Sequence, residues 1–268
     1  MILDEIAAKT IERIQAKKGQ MPLTDLKARA AELPRHRVAD QPYLFERALG
    51  KEGMSFICEV KKASPSKGVI AEEFPYEEIA VEYEKAGADA ISVLTEPFYF
   101  QGSDEYLAAI RRKVEIPLLR KDFTVDEYML YEAKILGADA VLLICAILSP
   151  EQLSEYAGIA GDLGLSALVE AHDEAEVEMA LAAGARIVGV NNRNLKDFTV
   201  DINNSVRLRG MVPPEILFVS ESGMKGREDI ARLEQNGTNA VLIGETFMRS
   251  ADKAGMLREL AGKSETNR

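Results

Sequence analysis

From Ser55 onward, short apolar runs alternate with amphipathic stretches of helical period. The apolar runs predict strands over 55–61, 89–95, 117–121, 139–145, 165–170, 186–191, 216–221 and 239–244. Most are nearly continuous in hydrophobic character, as parallel strands buried on both faces are. Helices fill the gaps, and "TVDE" (124–127) and "SPEQ" (149–152) have the form of capping boxes that start two of them. Eight such units predict a closed (β/α)8 TIM barrel. An open doubly wound sheet would not need eight units of this regularity. Ahead of Ser55 the pattern is helical only. Ile2, Leu3, Ile6, Ala7, Thr10, Ile11 and Ile14 share one face, and Gly19 is a stop signal. A second helix is expected over Thr24 to Leu33, and a third in "PYLFERALG" with Pro42 near its first turn and Gly50 at its end. With no strands to pair, residues 1–50 are expected to be a helical extension packed on a barrel of residues 51–268, one domain overall.

An internal echo supports the barrel. "AGADAISVL", "LGADAVLLI", "AGARIVGV" and "NGTNAVLIG" each place a helix-ending glycine just before a strand. Gly87, Gly137, Gly184 and Gly237 recur at intervals of 50, 47 and 53 residues, two βα units per repeat.

Composition narrows the class. The 268 residues are 47% hydrophobic and 29% charged, enough to bury a large core. A net charge of −11 and the lack of a basic run argue against a nucleic-acid partner, though an anionic ligand could still meet a local cationic site. Cys58 and Cys145 lie inside apolar runs with no CxxC pair and no Cys/His cluster, so neither a disulfide framework nor a metal site is expected. The amino-terminal stretch carries Asp4, Glu5 and Glu12 and is not a signal peptide, and no apolar run approaches membrane-spanning length. A cytoplasmic protein with no membrane association and no obligate protein partner is the expectation. The polar ending "GKSETNR" predicts no fused second domain.

The chemistry gathers where strands end. "FICEVKKASPSKG" (56–68) opens as a buried strand, and alternation puts Glu59 and Lys61 on one face. Alternation likewise directs Lys121, Glu170, Asn191 and Glu221 inward at the ends of the third, fifth, sixth and seventh strands, with Arg193 just beyond Asn191. Barrel enzymes carry their sites at this end. Three carboxylates, two lysines and an amide brought together there would shift one another's pKa values and supply acid and base partners. The loops after the seventh and eighth strands often bind phosphate in such barrels. Ser222 and Gly223 stand in the first loop, Gly244 and Glu245 in the second. The backbone N–H of Glu245 could donate there if its side chain turns away.

"EVKKASPSKG", "LLRKDF", "LVEAHD", "GVNNRNL", "SESGM" and "IGETF", in order over about residues 50 to 250, resemble indole-3-glycerol phosphate synthase. The resemblance implies a carboxy-lyase of tryptophan biosynthesis that uses no metal or organic cofactor. Its reaction is ring closure, decarboxylation and dehydration of 1-(2-carboxyphenylamino)-1-deoxyribulose 5-phosphate. It also implies roles. Lys121 would be the general acid on the substrate carbonyl, and Glu170 and Glu59 the paired catalytic glutamates. Lys61 would contact the phosphate side and protonate the leaving hydroxyl. Asn191 and Ser222 would position substrate, with Glu221 an acid beneath the site. Ser64, Arg193, Gly223, Gly244 and Glu245 remain for anion binding or support.

Outside these motifs, Lys62 is expected outside the barrel and solvated, His36 at the surface, and Cys58 against the helix layer. His172, two residues past Glu170, could line the site, but a place at a helix start or behind the site is the favoured expectation. Phe98, in "EPFYFQGS" (96–103), is the candidate cover for an aromatic ring, against plain loop packing. The competing readings are a sugar-phosphate isomerase, a Schiff-base aldolase using Lys121 or Lys61, and a non-catalytic sugar-phosphate binder.

Overall fold

The computed structural model describes residues 2–38, 41–194 and 197–263; the polar ending from 264 on lies outside the described residues. Eight parallel strands close into a barrel. They are β1 (Ser55–Val60), β2 (Ala90–Leu94), β3 (Leu118–Lys121), β4 (Ala140–Ile144), β5 (Ser166–Ala171), β6 (Ile187–Asn191), β7 (Leu217–Glu221) and β8 (Ala240–Ile243). Each strand pairs with its sequence neighbours, and β1 closes on β8 with Ser55 opposite Ala240. Every strand falls within one residue of the bounds expected from the apolar runs.

Helices cover the outside. They are α1 (Ile2–Gln20), α2 (Leu23–Ala31), α3 (Leu44–Leu49), α4 (Tyr76–Ala86), α5 (Asp104–Arg111), α6 (Tyr128–Leu136), α7 (Pro150–Asp162), α8 (Glu174–Ala182), α9 (Asn203–Arg209), α10 (Arg227–Gln235), α11 (Glu245–Arg249) and α12 (Lys253–Leu260). The box at Ser149 forms with both reciprocal bonds. The one expected at Thr124 does not. Helix α6 starts later, at Tyr128, because Asp126 takes the Tyr128 N–H and pairs with Lys18 of α1. The four repeat glycines all have positive φ, between 77° and 95°, a conformation that favours glycine after a helix.

Strand alternation divides the core in two. Cys58, Val93, Val141, Val188 and Val241 face the helices. Ile57, Ala90, Leu119, Leu142, Leu168, Ile187, Val219 and Leu242 fill the barrel interior. The extension packs at both ends of that interior. Phe45 and Leu49 of α3 are fully buried against it. Ser55 of β1 donates its hydroxyl to the α3 carbonyl of Ala48 at 3.0 Å, which places α3 at the amino-terminal end of the strands. Leu3 and Ile6 of α1 join the same interior cluster beside Phe123, just past the carboxyl end of β3. No helix among the described residues is long and apolar enough to cross a membrane.

Candidate active site

Inward alternation continues past the apolar layers, so the last inward residue of several strands is polar. These side chains reach a cavity of about 630 Å³ at the carboxyl ends of the strands. Glu59, Lys61, Ser64, Lys121, Glu170, Asn191, Arg193, Glu221, Ser222, Gly223, Gly244 and Glu245 all line it.

Lys121 is the centre of the charge. Its Nζ donates to Glu221 Oε2 at 2.6 Å and to Glu170 Oε2 at 3.0 Å. Burial pulls the ammonium's pKa down, but Glu170, Glu221 and Glu59 outweigh it and hold Lys121 charged well above the usual lysine range. The two glutamates respond in opposite ways. Burial pushes both up, yet Lys121, His172 and Asn191 bring Glu170 down to about 2. Glu221 is raised to about 7, because burial and the Glu170 charge prevail over Lys121. Its Oε1 is buried without a hydrogen-bond partner. Glu170 is therefore the firmly held anion, and Glu221 the more readily protonated of the two.

Across the cavity Lys61 Nζ lies 2.6 Å from Glu59 Oε1, and Ser92 donates to Glu59 Oε2 at 3.4 Å. Asn191 completes the group, its Nδ2 donating to Glu170 Oε1 at 3.4 Å and its Oδ1 accepting the Arg193 N–H at 3.1 Å. Two glycines make this crowding possible. A Cβ on Gly244 would stand 2.5 Å from Glu59 Oε1 and 2.8 Å from Lys61 Nζ, and one on Gly189 of β6 would overlap Glu221 Oε1.

The loops after β7 and β8 form the other end. Ser222 and Gly223 have φ of 66° and 94°, turning consecutive residues into the left-handed region. Asn192 Nδ2 holds the Ser222 carbonyl at 3.0 Å, and Thr246 Oγ1 ties the second loop to the Met224 carbonyl at 3.2 Å. The Glu245 carboxylate lies 3.1 Å from Arg249 Nε and 3.7 Å from Lys67 Nζ. That pairing offsets its charge at this end. The resulting concavity of backbone and cationic groups suits an anion.

The apolar wall corrects one expectation. Phe98 is 56% exposed and does not line the cavity. Phe100 and Phe123 do, with ring centroids 6.0 Å apart, and Leu3 and Ile6 of α1 join them. The cause is the fully buried Glu96, whose carboxylate accepts the N–H groups of Phe98, Tyr99 and Phe100 at 2.7–3.0 Å. That tight turn sends Phe98 outward and Phe100 inward. Sequence reasoning also missed Phe123, although it sits inside the "KDF" motif, and Gly189. Lys62 is half-buried rather than solvated, and His36 is half-buried with its ring against Tyr43. Cys58 packs against the helix layer as expected, and His172 stands at the start of α8.

The comparisons agree with one another. A family model described as indole-3-glycerol phosphate synthase matches residues 3–260. An indole-3-glycerol phosphate synthase of Ruminiclostridium cellulolyticum is 56% identical, covering 98% of this chain and 100% of the relative. One of Leuconostoc mesenteroides is 52% identical with the same coverage. Among solved structures, 3-hexulose-6-phosphate synthase from Salmonella typhimurium aligns with a TM-score of 0.64 at 16% identity, over 78% of this chain and 98% of that one. At that identity the likeness shows the barrel alone.

Proposed function

The chain belongs to the indole-3-glycerol phosphate synthase family, and from that premise we propose how its own residues divide the reaction. The activity is the conversion of 1-(2-carboxyphenylamino)-1-deoxyribulose 5-phosphate to indole-3-glycerol phosphate, a carbon–carbon lyase reaction of tryptophan biosynthesis. The observation that carries the assignment of roles is Lys121, charged and held between Glu170 and Glu221 in the cavity floor.

The substrate's two ends match the cavity's two ends. Its phosphate goes to the Ser222–Gly223 and Gly244–Glu245 loops, and its aromatic ring to Phe100, Phe123, Leu3 and Ile6. The weakly nucleophilic aromatic carbon then faces a carbonyl that must be protonated for the bond to form. Lys121 Nζ gives that proton. Loss of carbon dioxide returns the ring electrons and restores aromaticity. Dehydration takes one proton from the new ring and expels hydroxide as water. Glu170, the stable anion, accepts the proton, and Lys61, paired with Glu59, supplies one to the leaving oxygen. Asn191 orients Glu170, and Arg193 and Ser64 stand at the rim for anionic groups of the substrate. Glu221 holds Lys121 from below. A Schiff-base mechanism is disfavoured by the same geometry, because an amine pressed by carboxylates stays protonated. Two buried free thiols fit a cytoplasmic setting.

The test mixes the purified chain with that substrate and follows indole fluorescence. With no Trp in the chain, the background is tyrosine alone. Wild type produces a rising signal, and Lys121→Met lowers the rate about 10²–10⁴-fold. A signal that persists in the mutant would move the essential acid to Lys61. Its absence from folded wild type would sink the reading.

A further inference from the structure

His172 is one of only two histidines in the chain, and none of the steps above uses it. It follows the end of β5 and stands behind Glu170, outside the cavity wall. Its ring lies between two carboxylates. Nδ1 is 2.9 Å from Glu176 Oε2, and the His172 peptide N–H donates to that same oxygen at 2.8 Å. Nε2 is buried without an aligned hydrogen-bond partner, and Glu170 Oε1 lies 3.4 Å from it. A neutral imidazole has one N–H and one lone pair. In either tautomer one nitrogen would therefore oppose a carboxylate lone pair. Only the imidazolium, with two donors, suits both neighbours.

We propose that His172 is a positioning residue for Glu170, a cation clamped by Glu176 that holds Glu170 ionised and in place while Lys121 is engaged with the substrate. The proposal rests on the role given to Glu170 above. When Lys121 turns toward the substrate carbonyl, Glu170 loses its nearest counter-ion and keeps only the Asn191 amide and the His172 ring. The 3.4 Å gap then closes into a charge-assisted bond.

The groups packed around the ring support this. Glu170 comes from β5, Glu176 from the first turn of α8 and Glu221 from β7, and all three raise the His172 pKa. Burial opposes them but does not prevail, so it lies above the ordinary histidine value. Asn204 of α9 donates to the His172 carbonyl at 3.0 Å and brings no charge. Arg207 of α9 is engaged by Glu174. Cys145 reaches only the Glu176 carbonyl, at 3.5 Å.

Two measurements test it. The first is an NMR pH titration of the His172 ring, identified by its loss in His172→Gln. The midpoint is expected above the ordinary value and about one unit lower in Glu170→Gln and in Glu176→Gln. A midpoint that ignores Glu170→Gln would overturn the pairing. The second is the pH profile of indole formation. His172→Gln is expected to lower kcat about tenfold near neutral pH, the equivalent of one pKa unit of mutual support, with KM little changed. The wild-type kcat falls as the ring loses its charge, so the two profiles converge at high pH. A constant ratio between them at every pH would reduce His172 to a structural role, and equal profiles would remove it from catalysis. If wild type forms no indole, the assigned reaction has failed, while the titration still decides the His172–Glu170 pair.

Discussion

Arg120 and Lys121 are neighbours on β3, the first buried and the second partly buried, both surrounded by carboxylates, yet they face opposite sides of the strand. Arg120 points toward the helices. Its guanidinium donates to Asp104 and Glu132 at 2.6 Å each, to the Met129 carbonyl at 2.9 Å and to Thr95 Oγ1 at 3.2 Å. Lys121 points into the barrel, where Glu221 Oε1 has no partner and the Asn191 and His172 contacts to Glu170 are long. One network is saturated and the other is left open at several atoms. Residue type follows the same division. A guanidinium fork satisfies many fixed acceptors and does not give up its proton, whereas an ammonium on a flexible stem can turn and donate. A buried ion pair is therefore not by itself a sign of chemistry. Unsatisfied lone pairs beside a cavity are the better sign.

The largest expected effect separates the two networks. Arg120→Met removes one of the two cations that Asp104 and Glu132 share, and Lys17 of α1 still bridges them. The loss should therefore lie at the lower end of the range of about 3–5 kcal/mol that breaking a buried pair costs. Denaturant melts should show that loss while the folded fraction keeps a kcat near wild type. A stable but inactive variant would break the distinction. Next is Glu221→Gln, read through pH. The folded Glu221 pKa is raised to about 7 from the ordinary 4.5, so it favours the folded state fully below 4.5 and that support fades as pH rises toward 7. Glu170, lowered to about 2, acts oppositely, and its support is lost as pH falls from 4.5 to about 2. The Gln variant should therefore gain on wild type in melts at pH 8 and not at pH 4. It should also lose activity, because Lys121 keeps one carboxylate fewer.

How much of this was readable before the fold was known differs between the two sides of β3. The strand bounds and inward charges were legible because a buried parallel strand is continuously apolar, and alternation then sets the direction of each residue at its end. Arg120 drew no reading from the sequence, and its place as the hub of a network was not legible, since Asp104 and Glu132 come from α5 and α6 and no local pattern links them. Phe98 was misplaced for a similar reason. The turn that chooses Phe100 is made by one buried carboxylate, Glu96, and not by any period. The missing capping box at Thr124 is a tertiary override, with Lys18 of α1 drawing on Asp126. Helix α1 showed its apolar face in the sequence, but not that Leu3 and Ile6 would end as a wall of the cavity.

That last contact gives the smallest effect and the most direct link between the two networks. Arg13 of α1 donates from Nη2 to both Asp122 oxygens at 2.9 Å, and from Nη1 to the Thr95 carbonyl at 3.3 Å. Asp122 in turn accepts the Thr95 hydroxyl at 2.6 Å and the Phe123 N–H at 2.8 Å. It lies 3.8 Å from Arg120, so the Arg120 network reaches the cavity's aromatic wall through it, although Arg13 Nε is buried there without a hydrogen-bond partner. Arg13→Met leaves Asp122 those other contacts, so the loss should be about 1–3 kcal/mol, the size of a bond to a charged group. The functional reading should be in KM, because Leu3 and Ile6 of the loosened helix touch the aromatic end of the cavity while Lys121 and Glu170 keep their bonds. Arg13→Lys retains the charge but not the two-pronged grip, and should fall between wild type and Met in both stability and KM. If instead kcat falls and KM stays, the saturated network reaches Lys121 itself, and the two sides of β3 act as one.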